Sequence, residues 1–160
     1  MTFSQKLDIW YQDFGRSLPW RGIDDPYRIW LSEIILQQTR IEQGREYYHR
    51  FVDAFPTVAD LAAASEEQVL RLWQGLGYYS RVRNLKKAAR VLMEQHGGAF
   101  PRDYAAVRAL PGIGDYTAGA VCSIAFSLPT PAVDGNVLRV MARIQDDPPP
   151  IDLPARKKEV

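Results

Sequence analysis

The sequence predicts an all-α protein, and three observations carry that prediction. Apolar residues recur near every 3.6 positions in almost every segment, alternating β-branched runs bounded by turns are nearly absent, and helix start and stop signals separate the apolar segments. A first helix is expected over about 3 to 14, stopping at Gly15. "SLPW" and "DDP" then form a loop, and Asp25-Pro26 sets up a second helix through "YRIWLSEIILQQ", because proline suits the first helical turn. Helices follow at about 42–54, 57–63 and 66–74. "GLGYYS" is a glycine turn, and "RVRNLKKAARVLMEQHG" is a long helix that ends on a glycine pair. After "FP" come a short helix near 103–109, a hairpin, a helix over about 115–127, the loop "LPTPAVDG" and a last helix over about 136–145. About nine short helices with brief connections make a compact helical globule. The tail "DDPPPIDLPARKKEV" reads as a linker into something further.

Composition narrows the class. With 160 residues, 46% apolar and 24% charged, the chain is an ordinary globular protein, long enough for one domain or for one domain and part of a second. "MTFSQKLDIWYQDFGRS" lacks the apolar core of a targeting segment, and no run approaches the ~18 apolar residues that cross a bilayer. A cytoplasmic protein without a membrane partner is expected. The single cysteine, Cys122, sits in the apolar run "AGAVCSIAF", where a buried, inert thiol is expected. Net charge is only +1, so any DNA-binding surface must be local.

The hairpin "ALPGIGDYTAGAV", residues 109–121, carries the first functional signal. Gly-x-Gly occurs twice, at 75–77 and 112–114, so the triplet alone says little. In the longer pattern Gly112 and Gly114 are expected to turn the chain at positive φ just ahead of a helix N-terminus. Free N–H groups and the positive end of the helix dipole could there hold a phosphate without lysine. A plain helix connection is the alternative. Glu33, in the otherwise apolar "WLSEIILQQ", is either on a solvent stripe or desolvated, and desolvation raises a carboxyl pKa. Asp134, ahead of Gly135-Asn136, reads as a helix N-cap. Tyr78 suits either a helix-packing layer or stacking on a base. Arg81, Arg83, Lys86, Lys87 and Arg90 read as a solvated helix face or as phosphate contacts. Trp30 reads as core.

Four stretches, "WLSEIILQQT", "GLGYYSRVRNL", "ALPGIGDYTAGAV" and "VDGNVLRV", together resemble the helix-hairpin-helix DNA glycosylases, and within them the adenine-specific A/G mismatch (MutY) family. The resemblance covers nearly the whole chain. It implies a six-helix domain over about 15–128, with the helix-hairpin-helix near 105–127. Residues 1–14 and 129–160 then form part of a second helical domain, and a monomer binds double-stranded DNA across the cleft between the two. The family continues into a four-cysteine 4Fe-4S loop and a C-terminal domain that helps to recognise oxidised guanine. Those cysteines are absent here, so no cofactor and no metal ligand are expected within this chain.

The resemblance also assigns roles. Relatives resembling endonuclease III carry at the position of Tyr116 a lysine that attacks the sugar, whereas a phenol cannot form a Schiff base. This chain therefore resembles the monofunctional branch. Thymine mismatch glycosylases can carry tyrosine here too, and "LQQT" favours adenine, paired with 8-oxoguanine or guanine. Glu33 is implied as the acid that protonates the departing purine. Asp134 is implied as the ionised carboxylate beside the oxocarbenium-like sugar, the two-carboxylate logic of glycoside hydrolysis. Tyr116 and Asn136 position water or support the carboxylates. Gln38 and Tyr78 wedge into the duplex as the base is extruded, with Gln37, Thr39 and Leu76 nearby. Trp20 and Arg21 line the base pocket, and Gly112 and Gly114 hold phosphate. A truncated, non-catalytic DNA-binding module and a thymine mismatch glycosylase remain open at this point.

Overall fold

A computed structural model describes residues 1–146 as nine α-helices joined by loops, without strands among the described residues. They are α1 Phe3–Phe14, α2 Pro26–Ile35, α3 Ile41–Ala54, α4 Val58–Ala63, α5 Glu66–Trp73, α6 Ser80–His96, α7 Tyr104–Arg108, α8 Asp115–Phe126 and α9 Gly135–Ile144. The helices begin and end where local chemistry directs. Thr2, Thr57 and Ser65 form capping boxes with Gln5, Asp60 and Gln68, and Asp25 caps α2 with Pro26 in its first turn. Gly97 ends α6 in the left-handed conformation.

Helix α2 is the spine of the core. Tyr27, Ile29, Trp30, Leu31, Ser32, Ile34 and Ile35 are all buried, so the helix is covered on most of its circumference. It packs on α8 and α3, while α6 holds α4 and α5 and α7 lies on α8. Trp30, Trp73, Phe51, Leu61, Leu85 and Leu92 fill the interior without solvent exposure to speak of. Trp30 is core, as its place in the sequence suggests. Cys122 is fully buried on α8, and burial pushes its thiol upward, which makes it inert. No helix among the described residues is long and apolar enough to cross a membrane. Helix α1 buries none of its residues.

Three expectations need correction. Of the two hairpin glycines only Gly112 has a positive φ, at 75°, whereas Gly114 is extended at φ −91°, ψ 179°. Gly114 is the N-cap of α8, and an N-cap leaves the helix with β-region angles that any residue adopts. The basic run on α6 is not one solvated face. Lys86 turns inward and donates to the carbonyls of Leu61 (3.1 Å) and Ala62 (2.7 Å) at the end of α4, and Arg81 also turns toward the core, while Arg83, Lys87 and Arg90 stay exposed. Leu76 is packed into the core, 8% exposed, since the turn that carries it folds back on Trp73. The Pro-rich tail read as a linker, and the part of the second domain expected beyond residue 146, lie outside the described residues.

One close approach positions the next element of interest. After α8, Ser127 turns the chain at φ 54° and the 128–134 strap crosses back over α8 at Gly119. A Cβ at Gly119 would lie 2.0 Å from the carbonyl oxygen of Pro131, and Thr130 Oγ1 donates to the Gly119 carbonyl at 3.2 Å. The strap delivers Asp134 to the head of α9. Gly119→Ala is therefore expected to lower stability by about 1–3 kcal/mol in chemical denaturation, as overpacking does when backbone rather than a flexible side chain must give. Gly114→Ala, with nothing within 4 Å of the added carbon, serves as the matched control.

Candidate active site and cleft

A cleft of about 1080 Å³ opens beside α2. Four α2-side residues line it, Ile29, Ser32, Glu33 and Leu36, at the i, i+3, i+4, i+7 spacing of one helix face. Across from them stand Tyr116 from the first turn of α8 and Asp134 with Gly135 at the head of α9. Trp20 and Arg21 close one side from the loop before α2, Tyr11 reaches in from α1, and Gln37, Gln38, Tyr78 and Arg81 form the rim. Glu33, Tyr116, Asp134, Trp20, Arg21, Gln38 and Tyr78, all singled out in the sequence, thus share one concavity.

Glu33 is half-buried, and its carboxyl is pushed above the usual carboxylate range. Burial is the main cause. The hydrogen bond with the Tyr116 hydroxyl and the charge of Arg21 pull the other way, while the charge of Asp134 adds to the rise. The Tyr116 phenol is itself pushed far up by burial and by Glu33, so it stays protonated and donates. Asp134 accepts from the backbone N–H of Val137 at 2.8 Å, which is the cap read from sequence, and from Asn136 Nδ2 at 3.0 Å. Asn136 in turn accepts from Arg139 at 2.9 Å, which fixes which end of its amide faces the carboxylate. Capping and facing the cleft are not exclusive: one oxygen of Asp134 serves the helix and the other meets Asn136.

Trp20 is buried, edge-on to Tyr48 at 5.2 Å, and lines the cleft. The Arg21 guanidinium lies 5.4 Å over the Tyr11 ring. Gln38 and Tyr78 both hold positive φ, 55° and 45°, and Tyr78 is 64% exposed at the rim. Thr39, Leu76 and Asn136 do not line the cleft. Gly112 lies instead on a second, smaller cavity of about 180 Å³ with Pro111, Asn84, Trp30 and Arg81. A Cβ on Gly112 would meet Asn84 Cβ at 2.6 Å, so glycine is required there for space as well as for φ. Gly114 heads α8 without any side-chain cap, leaving first-turn N–H groups for another acceptor.

Sequence reading missed Tyr11, Ser32 and the inward turn of Arg81 and Lys86. Periodicity held the signal for Lys86, which falls on the Val82, Leu85, Ala89, Leu92 face of α6. Tyr11 carried no such signal, because its contact with the cleft depends on where α1 lies in space. The residues present do not fit an iron-sulfur cluster: Cys122 is the one cysteine of the sequence and is fully buried, and no group of His, Cys, Asp and Glu among the described residues could hold a metal ion.

A buried core helix that aims one carboxyl into a deep cleft, faced by a second carboxylate and flanked by a glycine hairpin, defines a class of helical DNA-repair protein. The chain belongs to the HhH-GPD superfamily of base excision DNA repair proteins, whose pattern matches residues 31–153. Among individual relatives it is similar to the adenine DNA glycosylases of Buchnera aphidicola subsp. Baizongia pistaciae, 44% identical over 144 residues, and of Mus musculus, 45% identical over 153. These matches take in 89% and 90% of this chain but 41% and 30% of the relatives, so the chain spans well under half of their length. Its backbone is similar to a thermostable thymine-DNA glycosylase, with TM-score 0.81 and 31% identity over 87% of this chain and 64% of that one. It is also similar to endonuclease III in a trapped covalent complex with DNA, with TM-score 0.74 and 26% identity over 91% and 70% of the two chains.

The burial of Glu33 has a consequence for stability. A carboxyl whose folded pKa lies above its unfolded value favours folding while it is protonated, and that contribution is lost as pH rises through the folded value. Glu33→Gln should therefore raise Tm at neutral and alkaline pH. The gap to wild type should close as pH falls toward the ordinary carboxylate range, and calorimetry across that series checks it.

Proposed function

We propose that this chain is the catalytic part of a monofunctional DNA glycosylase that hydrolyses the N-glycosidic bond of adenine mispaired with 8-oxoguanine or guanine. The observation that carries it is the pairing across one cleft of Glu33, raised by burial and bonded to Tyr116, with Asp134, held by Asn136 and the α9 terminus. The cleft has room for an extruded nucleotide. Protonated Glu33 gives its proton to a ring nitrogen of adenine, the bond from sugar to base breaks, and the electron pair leaves with the base. The sugar becomes an oxocarbenium-like cation, which the Asp134 side chain stabilises until water adds to the anomeric carbon and releases a proton. Asn136 orients Asp134, and Tyr116 holds Glu33 in place.

Around that centre, Trp20 and Arg21 border the base, and Gln38 and Tyr78, with Thr39 near them, enter the duplex where the base has left. Leu76 backs that turn from the core. Gly112 lets the hairpin turn tightly, and Gly114 exposes the first amides of α8 to a DNA phosphate. Residues 15–128 act as one domain, and 1–14 with the segment from 129 act as the start of a second. The protein works as a monomer on double-stranded DNA. The resemblance in backbone to a thymine-DNA glycosylase favours one second reading, removal of thymine from a mismatch by the same centre.

The deciding assay uses duplexes with adenine opposite 8-oxoguanine, adenine opposite guanine and thymine opposite guanine, with alkaline work-up to reveal abasic sites. Base loss from the two adenine duplexes is expected. Loss from the thymine duplex alone selects the second reading, and binding without base loss from any of them leaves a non-catalytic module. Glu33→Gln should reduce adenine release by at least about 100-fold, the scale of a lost general acid, with duplex affinity retained. Borohydride should trap no protein-DNA adduct, because Tyr116 offers no amine. A trapped adduct that vanishes on mutating a lysine would show an amine mechanism instead.

A further inference from the structure

Gln38 and Tyr78 come from separate loops, yet both hold the left-handed backbone at φ 55° and 45°. Neither is glycine, and such residues keep that conformation only where their surroundings over-determine it. The residue between the two loops is Arg81. Its Nη1 donates to the carbonyls of Ile34 and Ile35, each at 3.1 Å, and to that of Gln37. Its Nη2 donates to the carbonyls of Leu76 and Gly77, each at 3.3 Å. The guanidinium also lies 4.9 Å from the ring centre of Trp73 and 5.7 Å from that of Tyr78.

Those carbonyls are not arbitrary. Ile34 and Ile35 end α2, where carbonyls lack partners within the helix and a cation is favoured by the helix dipole, and Gln37 lies in the turn just beyond. Leu76 and Gly77 lead directly into Tyr78. One planar side chain therefore fastens the end of the Glu33 helix to the neighbouring turn, and the residue after each fastened stretch is one of the two left-handed side chains. A lysine could not do the same, since a single ammonium cannot present a rigid fork to both sets of acceptors. We propose that Arg81 is a positioning residue which locks the Gln38 and Tyr78 loops at a fixed separation, so that the two side chains form a preformed wedge for base extrusion. This rests on the reading that those two residues enter the duplex. Preforming the wedge removes the ordering cost that two free loops would meet on binding.

The test compares single-turnover base removal by the full chain from adenine opposite 8-oxoguanine in a duplex and from adenine in the same strand without its complement. Only the paired substrate needs a wedge, so Arg81→Lys should lower the paired-to-unpaired ratio of rates about tenfold, whereas a general loss of folded protein lowers both rates alike. A 2-aminopurine beside the target reports extrusion without chemistry, and its signal should fall in the same variant. Combining Arg81→Lys with Tyr78→Ala should cost less than the sum of the two single changes. If wild type extrudes the base but removes none, the glycosylase reading fails and the wedge stands on the fluorescence alone. An unchanged ratio and an unchanged signal in folded Arg81→Lys overturn the proposal, as does the absence of any extrusion by wild type. Should Arg81→Lys fail to fold in the cold, Arg81→Gln is read in the same way, and failure of both to fold overturns a positioning role in favour of a purely structural one.

Discussion

The arrangement depends on one constraint: a carboxyl carried by the most buried helix among the described residues. Helix α2 has core on most sides, so Trp30, Leu31, Ile34 and Ile35 cannot slide or rotate without opening the interior. Glu33 is fixed where this helix borders the cleft, and burial raises its pKa there. The chemistry of that cleft is thus inherited from packing. Tyr116 and Asp134 are brought to it by α8, which packs on α2, and by the strap that crosses α8 at Gly119.

A nearly neutral chain proposed to hold DNA must place its positive potential where it matters. In the proposed reading the hairpin backbone supplies part of it. Gly114 starts α8 without a capping side chain, and Gly112 takes a turn at φ 75° against Asn84 that a larger residue could not take. Amides carry no formal charge, so the proposed contacts ask for no excess of lysine and arginine over the net charge of +1. The flanking ion pair of Arg108 with Asp115, 2.6 Å apart, braces the short α7 against α8.

Two cations of α6 work on the protein itself. Lys86 satisfies the last carbonyls of α4, and Arg81 those of α2 and of the turn before α6. Helix ends buried in a small domain need partners for their free carbonyls, and a long side chain from a neighbouring helix reaches them where water does not. The same contacts tie α6 to the two loops at the cleft rim, so the element that closes the core also shapes the site.

Helix order and limits follow from local chemistry, which is why they were legible in the sequence. Caps at Asp25, Ser65 and Asp103, the stop at Gly97 and the 3.6-residue period each act within a turn of chain. The motifs around Glu33, Tyr116 and Asp134 were legible too, since each lies in a short contiguous stretch. Their meeting in one cleft was not, because it is made by packing between helices far apart in sequence. Gly114 shows the same limit on a smaller scale: its identity suggested positive φ, but its place as N-cap decided otherwise. Arg81, Lys86 and Leu76 mark the boundary most clearly. Sequence by itself determined that they sit at the turn and on α6, and only the tertiary structure decided which way they face, because that depends on where α2, α4 and Trp73 leave unpaired carbonyls and space to fill.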